Sequence, residues 1–291
     1  MRLPEFVIVG AAKSGTTSLF RWLSEQSEIW CPDLKEPDFF AHDDVWRRGT
    51  GWYASLFAGA GGHPLTGEAS TSYSELRYAA TAAGRMADTI PHVKLIYVLR
   101  HPMERLRSHY RHEIQKGRED RPLAEAVAVE GNEYAGSSRY FTCLEPYTRA
   151  FPREQICVAR FEDLVTEPAP AWSAILAHLG LDDRPQPRTV WNVTSDKPGY
   201  SRTTLKLYER GLLRPVKYLP RPVRRLGKAL LTRSGSDYEQ RLEQSSAEVP
   251  PEIERRIWDD VEHLEVWLGV DRPLWPRSGA SPRRADRPLP S

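Results

Sequence analysis

The sequence predicts an α/β protein in which a central, mainly parallel β-sheet is flanked by helices. Apolar, β-branched runs at 6–9, 93–99 and 155–161 are typical of buried strands. Helical periodicity follows the first two runs, over 16–26 and 102–117. Strands that alternate with helices favour a parallel sheet, and such sheets bind their ligands beyond the carboxyl ends of the strands.

Between the first strand and the first helix lies a short loop bracketed by Gly10 and Gly15. Backbone N–H groups in such a loop, together with the helix N-terminus, form a cradle for a phosphate. The loop departs from the nucleoside-triphosphate pattern G-x4-G-K-[ST], because its lysine is Lys13, inside the loop, and Thr16 directly follows the second glycine. A structural turn with a capping threonine is the alternative. The displaced lysine and the hydroxyls of Thr16 and Thr17 favour phosphate binding in a P-loop-like, three-layer fold.

The rest of the chain supplies the remaining elements. Pro32 and Pro37 exclude a continuous helix after the first one. We predict a second, weaker strand within 63–72 and helices within 46–57 and over 74–89, 122–129, 138–150, 170–179 and 250–268. We expect one domain over residues 1–275 and a disordered, Pro/Arg/Ser-rich tail over 276–291.

A second pair of residues lies where it could bind a phosphate. Arg100 directly follows the strand at 93–99, and Ser108 lies two turns into the helix that Pro102 begins. Lys13 also lies just beyond the carboxyl end of a strand. We therefore expect Lys13, Arg100 and Ser108 to meet at one edge of the sheet.

The composition is that of an ordinary globular protein, since the 291 residues are 40% apolar and 27% charged with a net charge of +2. No apolar run reaches the roughly 18 residues that a membrane span requires. The first strand begins too early to leave room for a signal peptide. The three cysteines show neither a CxxC nor a zinc-binding spacing. We expect a cytoplasmic protein with no metal, no nucleic-acid partner and no integral membrane association.

One segment departs strongly from this charge balance. Between Lys197 and Arg233, eleven Lys or Arg residues accompany a single acid, Glu209. Charge runs are most often solvated faces, but an excess this one-sided favours an anionic partner. That partner would be a phosphate-bearing cofactor, an acidic substrate or a membrane surface.

These motifs resemble those of the sulfotransferases that use 3′-phosphoadenylyl sulfate (PAPS). The resemblance is closest to the branch of heparan-type glycosaminoglycan sulfotransferases and their bacterial relatives. The loop Gly10-Ala-Ala-Lys13-Ser14-Gly15-Thr16-Thr17 resembles the family's 5′-phosphosulfate loop, and Arg100 with Ser108 resembles its 3′-phosphate motif. Weaker matches follow in the family's order: Lys35-Glu36-Pro-Asp-Phe39-Phe40, Ser138-Arg-Tyr140, the turn over 158–164 and Leu268-Gly-x5-Trp275.

The resemblance implies a role for each cofactor-binding residue. The backbone of Ser14, Gly15, Thr16 and Thr17 would bind the 5′-phosphate, and Arg100 and Ser108 the 3′-phosphate. Lys13 would offset the charge that builds on the leaving group, and the product of the cofactor would be the 3′,5′-bisphosphate (PAP). No metal is implied in this roughly in-line transfer.

The resemblance also implies a general base. Glu36 would take a proton from the hydroxyl or amine of the acceptor, and with Lys13 it would carry the catalysis. Because histidine is the commonest general base, His42, His101 and His109 remain rivals.

The sequence departs from the family's pattern at two places. Ala69 stands where the glycosaminoglycan branch has a lysine, which argues against a heparan-like acceptor. The family's basic loop over the 3′-phosphate has only a poor match at 195–202, from which we expect Lys197 or Arg202 to contact the cofactor.

The expected acceptor is a small molecule, a carbohydrate or a natural product, and no readable pattern encodes its identity or the oligomeric state. Aromatic residues could stack on it, but core packing is the better interpretation for most of them. The residues in question are Trp46, Trp52, Tyr53 and Tyr73.

Three other functions compete with this interpretation. An ATP-dependent small-molecule kinase is disfavoured by the position of Lys13. A non-catalytic nucleotide-binding module is disfavoured because Glu36 and Lys13 are both present. Membrane docking by 197–233, with a lipid-linked acceptor, is disfavoured because prolines interrupt any long amphipathic helix there.

Overall fold

A computed structural model describes residues 2–187 and 247–277 of the chain. Its centre is a five-stranded, entirely parallel sheet in the order β2-β3-β1-β4-β5. The strands are β1 (Phe6–Gly10), β2 (Ile29–Trp30), β3 (Leu65–Ala69), β4 (Lys94–Leu99) and β5 (Ile156–Arg160). The predicted α/β fold with a parallel sheet is therefore confirmed.

Strand β1 occupies the middle of the sheet because its sequence is apolar on both faces. All five of its residues are buried, as expected of a strand covered on both sides. Phe6 pairs with Gly67 of β3 on one side and with Lys94 of β4 on the other. The chain leaves β1 toward β2 and β3, then crosses to β4 and β5. This reversal opens a crevice beyond the carboxyl end of β1.

Helices cover both faces of the sheet. They are α1 (Thr16–Ser24), α2 (Asp43–Trp46), α3 (Gly49–Ser55), α4 (Ala79–Thr89), α5 (Pro102–Gln115), α6 (Leu123–Ala128), α7 (Glu133–Gly136), α8 (Tyr140–Ala150), α9 (Phe161–Thr166), α10 (Pro168–Leu179) and α11 (Pro251–Leu268). Phe161 begins α9 and does not extend the strand, contrary to the predicted range 155–161. The helix predicted over 138–150 begins at Tyr140, with the separate short helix α7 before it.

Alternate residues of the central strands feed two hydrophobic cores, which makes the fold three-layered. Val7 and Val9 join the core formed with α4, α5, α8 and α11. Phe6 and Ile8 point to the opposite face and pack with α1 and α10. Tyr53 and Tyr73 are completely buried, so the core interpretation is correct for them. The two tryptophans, Trp46 and Trp52, pack at the edge of the first core.

None of the helices within 2–187 and 247–277 combines the length and the apolar character that crossing a membrane requires. Lys197, Arg202 and the basic segment at 197–233 lie outside the described residues, as does the predicted tail beyond residue 277.

Candidate active site

A cleft of about 1100 Å³ opens at the carboxyl edge of the sheet. Residues just beyond four strand ends line it: Lys13 after β1, Thr71 after β3, Arg100 after β4 and Phe161 after β5. The cleft brings together most of the predicted site residues, namely Lys13, Gly15, Thr16, Thr17, Glu36, Arg100 and Ser108. Ser14 is completely buried beneath this surface and does not line the cleft.

The loop after β1 presents an uncapped helix N-terminus to the cleft. Gly15 is the N-cap residue of α1, and no side-chain hydrogen bond caps that helix within the described residues. Lys13 and Gly15 both adopt left-handed backbone conformations, with φ of 71° and 84°. A Cβ atom on Gly15 would lie 2.4 Å from the ring of Phe161, so glycine is also required for space. The first turn of α1 can therefore attract an anion, and Lys13 lines the same cleft.

A buried arginine, which sequence reasoning missed, supports this loop from behind. Arg105 is completely buried. Its Nε donates to Ser138 Oγ at 2.8 Å, its Nη1 to the Ala12 carbonyl at 3.5 Å, and its Nη2 to the carbonyls of Glu133 and Tyr134. Burial lowers the pKa of Arg105. Its place between Arg100 and Ser108, and the match of Ser138 to the family pattern, were the only signals in the sequence.

The turn that carries Arg100 is held from two sides. The Tyr140 hydroxyl donates to the Arg100 carbonyl at 2.6 Å, and the His101 N–H donates to Glu162 Oε1 at 2.7 Å. Trp275 Nε1 in turn donates to Glu162 Oε2 at 3.2 Å. The turn at Arg100 is therefore stabilised by residues from the three weaker family matches, at 138–140, 158–164 and 268–275.

Arg100 and Ser108 both face the cleft, as their spacing predicts. Ser108 lies on α5, whose first turn packs against the Arg100 turn. The Arg100 guanidinium lies 5.6 Å from the centre of the Phe161 ring and 3.7 Å from the Glu104 carboxylate. Since this Glu104 carboxylate is half exposed, the ion pair contributes little, and an incoming anion can compete for Arg100.

Glu36 lies at the junction of two cavities. It lines the main cleft and also a second hollow of about 440 Å³. Its carboxylate is 44% exposed and accepts a hydrogen bond from Lys35 Nζ at 2.6 Å. The Thr71 hydroxyl lies 3.5 Å from the same oxygen. Glu36 is thus accessible from both sides.

The three rival histidines lie in different surroundings. His101 packs against Trp258, with ring centres 5.4 Å apart, and is not among the residues that line the cleft. His109 lines the cleft, but burial and the nearby Arg105 hold its pKa well below the usual range. His42 lines only the second hollow and contacts Tyr78 edge to face. Of these residues and Glu36, only Glu36 lines both cavities.

His112, which the sequence did not indicate, also lines the cleft. Burial, and then the charge of Lys13, lower the pKa of His112 to about 4. Its imidazole is therefore neutral at neutral pH, and the positive charge of this wall comes from lysine and arginine.

Known proteins resemble this chain in both sequence and fold. Residues 76–185 match the model of the sulfotransferase family. The mouse heparan sulfate glucosamine 3-O-sulfotransferase 3B1 is 31% identical over 190 residues, which cover 62% of this chain and 47% of that protein. The chain is similar to sulfotransferases over this part of its length. The resemblance inferred from its motifs is confirmed.

Other known proteins are similar to this chain over comparable lengths or in fold. The human bifunctional heparan sulfate N-deacetylase/N-sulfotransferase 2 is 27% identical over 204 residues, covering 62% of this chain and 22% of that protein. The chain thus spans less than half the length of these two relatives. A crystal structure of a sulfotransferase from Alicyclobacillus acidocaldarius aligns with a TM-score of 0.64 at 24% identity, covering 94% of this chain and 98% of the other. The two proteins share the fold.

Glu68, at the end of β3, is a buried acid that the sequence analysis assigned no role. It is completely buried and accepts hydrogen bonds from the hydroxyls of Tyr53 at 2.9 Å, Tyr73 at 2.7 Å and Ser70 at 2.9 Å. Burial raises the pKa of Glu68 to about 7, against the lowering effect of these three donors.

Glu68 should make the stability of the protein fall as the pH rises. The folded protein retains the Glu68 proton up to pH 7, whereas the unfolded chain releases it near 4.5. The folded state therefore binds more protons between these values, and a raised carboxyl pKa costs stability as the pH rises through this window. The free energy of unfolding of the wild type, relative to Glu68→Gln, should drop by on the order of 3 kcal/mol from pH 4.5 to pH 7. Urea unfolding at a series of pH values measures it, and parallel curves for the two proteins would contradict the assignment.

Proposed function

We propose that this protein transfers a sulfuryl group from PAPS to a hydroxyl or amine of an acceptor. One observation carries the proposal: the loop with its displaced Lys13, the Arg100–Ser108 pair and Glu36 all line a single cleft. The order and spacing of these motifs predict that their residues lie in one site. The match of residues 76–185 to the model of the sulfotransferase family supports it further.

The donors in the cleft fit this cofactor. Two cations, Lys13 and Arg100, lie at separate strand ends, and the first turn of α1 adds backbone N–H groups. Ser108 contributes a hydroxyl. Such a set suits a ligand with anionic groups at two positions, as a 3′,5′-substituted nucleotide has. When bound, PAPS supplies the sulfuryl group and departs as PAP.

Each residue then has a physical task. The N–H groups of residues 15–17 bind the 5′-phosphate, whereas the N–H of the buried Ser14 already donates to the Ala11 carbonyl at 3.2 Å. Lys13 offsets the negative charge that develops on the leaving oxygen. Arg100 and Ser108 bind the 3′-phosphate and so orient the nucleotide. Glu36 accepts the proton of the acceptor, an effect on the order of 10²–10⁴-fold in rate. We place the acceptor on the other side of Glu36, in the second hollow.

The charge of the second hollow favours an acceptor that is not a polyanion. Among the described residues, its lining includes the carboxylates of Glu36, Asp38 and Asp44, against one arginine, Arg48. Trp52 adds an aromatic wall, over which the Arg48 guanidinium lies at 3.7 Å. Although the sequence relatives are named for heparan sulfate, we propose a neutral or cationic small molecule, carbohydrate or natural product as the acceptor here.

The remaining expectations belong to this proposal. We propose that residues 1–275 form one sulfotransferase domain and that the protein acts in the cytoplasm. A cofactor contact by Lys197 or Arg202 stays a prediction, since both lie outside the described residues. Within the described residues nothing specifically favours the kinase or the non-catalytic module, and the segment of the membrane-docking alternative, 197–233, lies outside them.

Cofactor binding is the first prediction of the proposed function. PAP should bind without magnesium, and Arg100→Met should weaken it by about 10- to 150-fold, the effect of one charged hydrogen-bonding group. The exposed Arg149 pairs with Glu145 away from the cleft, so Arg149→Met is the matched control and should bind normally. Isothermal titration measures both. Binding of ATP with magnesium but not of PAP would instead favour the kinase.

The second prediction concerns the general base. Glu36→Gln should lower kcat by about 10²–10⁴-fold, because the amide accepts no proton. The affinity for PAP should change less than twofold. Glu154→Gln, on an exposed turn before β5, is the control and should retain full turnover. Loss of PAP affinity as well would make Glu36 structural, and full activity of Glu36→Gln with an inactive His42→Ala would assign the base to histidine.

The third prediction concerns the acceptor. A neutral or amine-bearing oligosaccharide should have a higher kcat/KM than its polysulfated counterpart, because the carboxylates of the hollow repel sulfate groups. Asp44→Asn should reduce the difference in kcat/KM between the two acceptors, because it removes one of these carboxylates. Steady-state kinetics on the two acceptors measures it, and a preference of the wild type for the polysulfated form would refute the proposed acceptor class.

A further inference from the structure

The segment that carries Glu36 has an unusual backbone. Glu36 and Asp38 both adopt left-handed conformations, with φ of 59° and 55°, although neither is glycine. Such conformations cost free energy and persist only where the surrounding structure enforces them. The contacts that enforce them also determine where the Glu36 carboxylate lies.

The end of β3 and the turn that follows it hold this backbone through three hydrogen bonds. The Glu36 N–H donates to the Ala69 carbonyl at 3.0 Å, and the Asp38 N–H donates to Ser70 Oγ at 3.1 Å. The next alternate residue, Phe40, donates its N–H to the Tyr73 hydroxyl at 3.5 Å. Three alternate amides are thus held by residues 69–73.

Two of these three acceptors are hydroxyl groups, and each donates its own proton to Glu68. Ser70 Oγ donates to Oε2 at 2.9 Å, and the Tyr73 hydroxyl donates to Oε1 at 2.7 Å. Burial raises the pKa of Glu68 to about 7, so above this pH the group is an ionised carboxylate, which can only accept hydrogen bonds. It therefore commits both hydroxyl protons and turns the oxygen lone pairs toward the amides of residues 38 and 40. The completely buried Glu68 thereby determines the direction of every hydrogen bond between itself, the two hydroxyls and the amides of residues 38 and 40.

We propose that Glu68 is a positioning residue that orients Glu36 through Ser70 and the backbone of residues 36–38. The proposal rests on the proposed role of Glu36 as the general base. Glu68 contacts neither the main cleft nor the second hollow, so it acts only through this array. The array ties residues 36–38 to the rigid sheet. This matters because a displacement of a catalytic group by about 1 Å can lower the rate on the order of 10²-fold.

A third hydrogen bond to the Glu68 carboxylate provides a matched control for the test of this proposal. Tyr53 also donates to Glu68 Oε1, at 2.9 Å, but its hydroxyl accepts no hydrogen bond from the backbone of 36–40. Its ring stacks on Phe39 with centres 4.4 Å apart, a contact that phenylalanine retains. Tyr53→Phe therefore removes one hydrogen bond to Glu68 without touching the route to Glu36.

The test compares Glu68→Gln, Ser70→Ala and Tyr53→Phe in the full chain. Glu68→Gln and Ser70→Ala should each lower kcat by about 10- to 100-fold while the affinity for PAP stays within twofold. Hydrogen exchange of the segment 36–40 should accelerate in both. Tyr53→Phe should lose thermal stability but keep kcat and the exchange rate of this segment within twofold.

A double-mutant cycle separates positioning from general destabilisation. In the Glu36→Gln background, adding Ser70→Ala or Glu68→Gln should lower the residual turnover by less than threefold, because the group being positioned is already absent. An equal loss in both backgrounds, or unchanged kcat in Glu68→Gln and Ser70→Ala, would overturn the proposal. If Glu68→Gln does not fold, the Ser70→Ala variant and its double-mutant cycle with Glu36→Gln still test the proposal.

The two proposals fail in distinguishable ways. If the wild type does not transfer sulfate, the proposed function fails, yet hydrogen exchange still shows whether Glu68 holds the segment. If the wild type is active and exchange over 36–40 is unchanged in both variants, the positioning role alone is refuted.

Discussion

The need to hold anionic groups at the carboxyl end of β1 constrains the rest of this molecule. β1 is buried on both faces, so its end is fixed by neighbours on either side of the sheet. The loop after it turns within five residues into α1, and both the backbone conformation of Gly15 and the ring of Phe161 require glycine there. An anion at this point interacts with a helix N-terminus that no side chain of the described residues caps.

Polar groups buried behind the cleft make this edge rigid. Arg105 fixes the loop before α1, Glu162 and Tyr140 fix the Arg100 turn, and Glu68 fixes the segment of Glu36. Each is connected to backbone groups through hydrogen bonds whose geometry is specific. Because buried polar groups are costly when unpaired, such networks favour one arrangement of the site over its alternatives. These networks therefore restrict the positions that the residues lining the cleft can adopt.

The sequence predicted the elements that form from interactions between residues near one another in the chain. Continuous apolar runs revealed β1, β4 and β5, and the spaced glycines revealed the loop. Arg100 and Ser108 could be paired because the helix period and the strand end place them together. The helix α7 was missed, because its four residues are too few to show a helical period, and α8 begins at Tyr140, two residues after the predicted start.

Residues whose role depends on distant partners could not be predicted. A glutamate in a short strand suggests exposure, and Glu68 is buried only because Tyr53, Tyr73 and Ser70 converge on it. Arg105 likewise resembles the exposed arginines around it in the sequence. The left-handed conformations of Glu36 and Asp38 carry no glycine signal, because contacts with residues 69–72 impose them.

A crystal structure of the protein with PAP tests the central claim most directly. The account predicts the 5′-phosphate over the first turn of α1 beside Lys13, and the 3′-phosphate between Arg100 and Ser108. The Glu36 carboxylate should face the position from which the sulfuryl group leaves. A nucleotide bound elsewhere, or one with its two phosphates exchanged between these sites, would contradict the account.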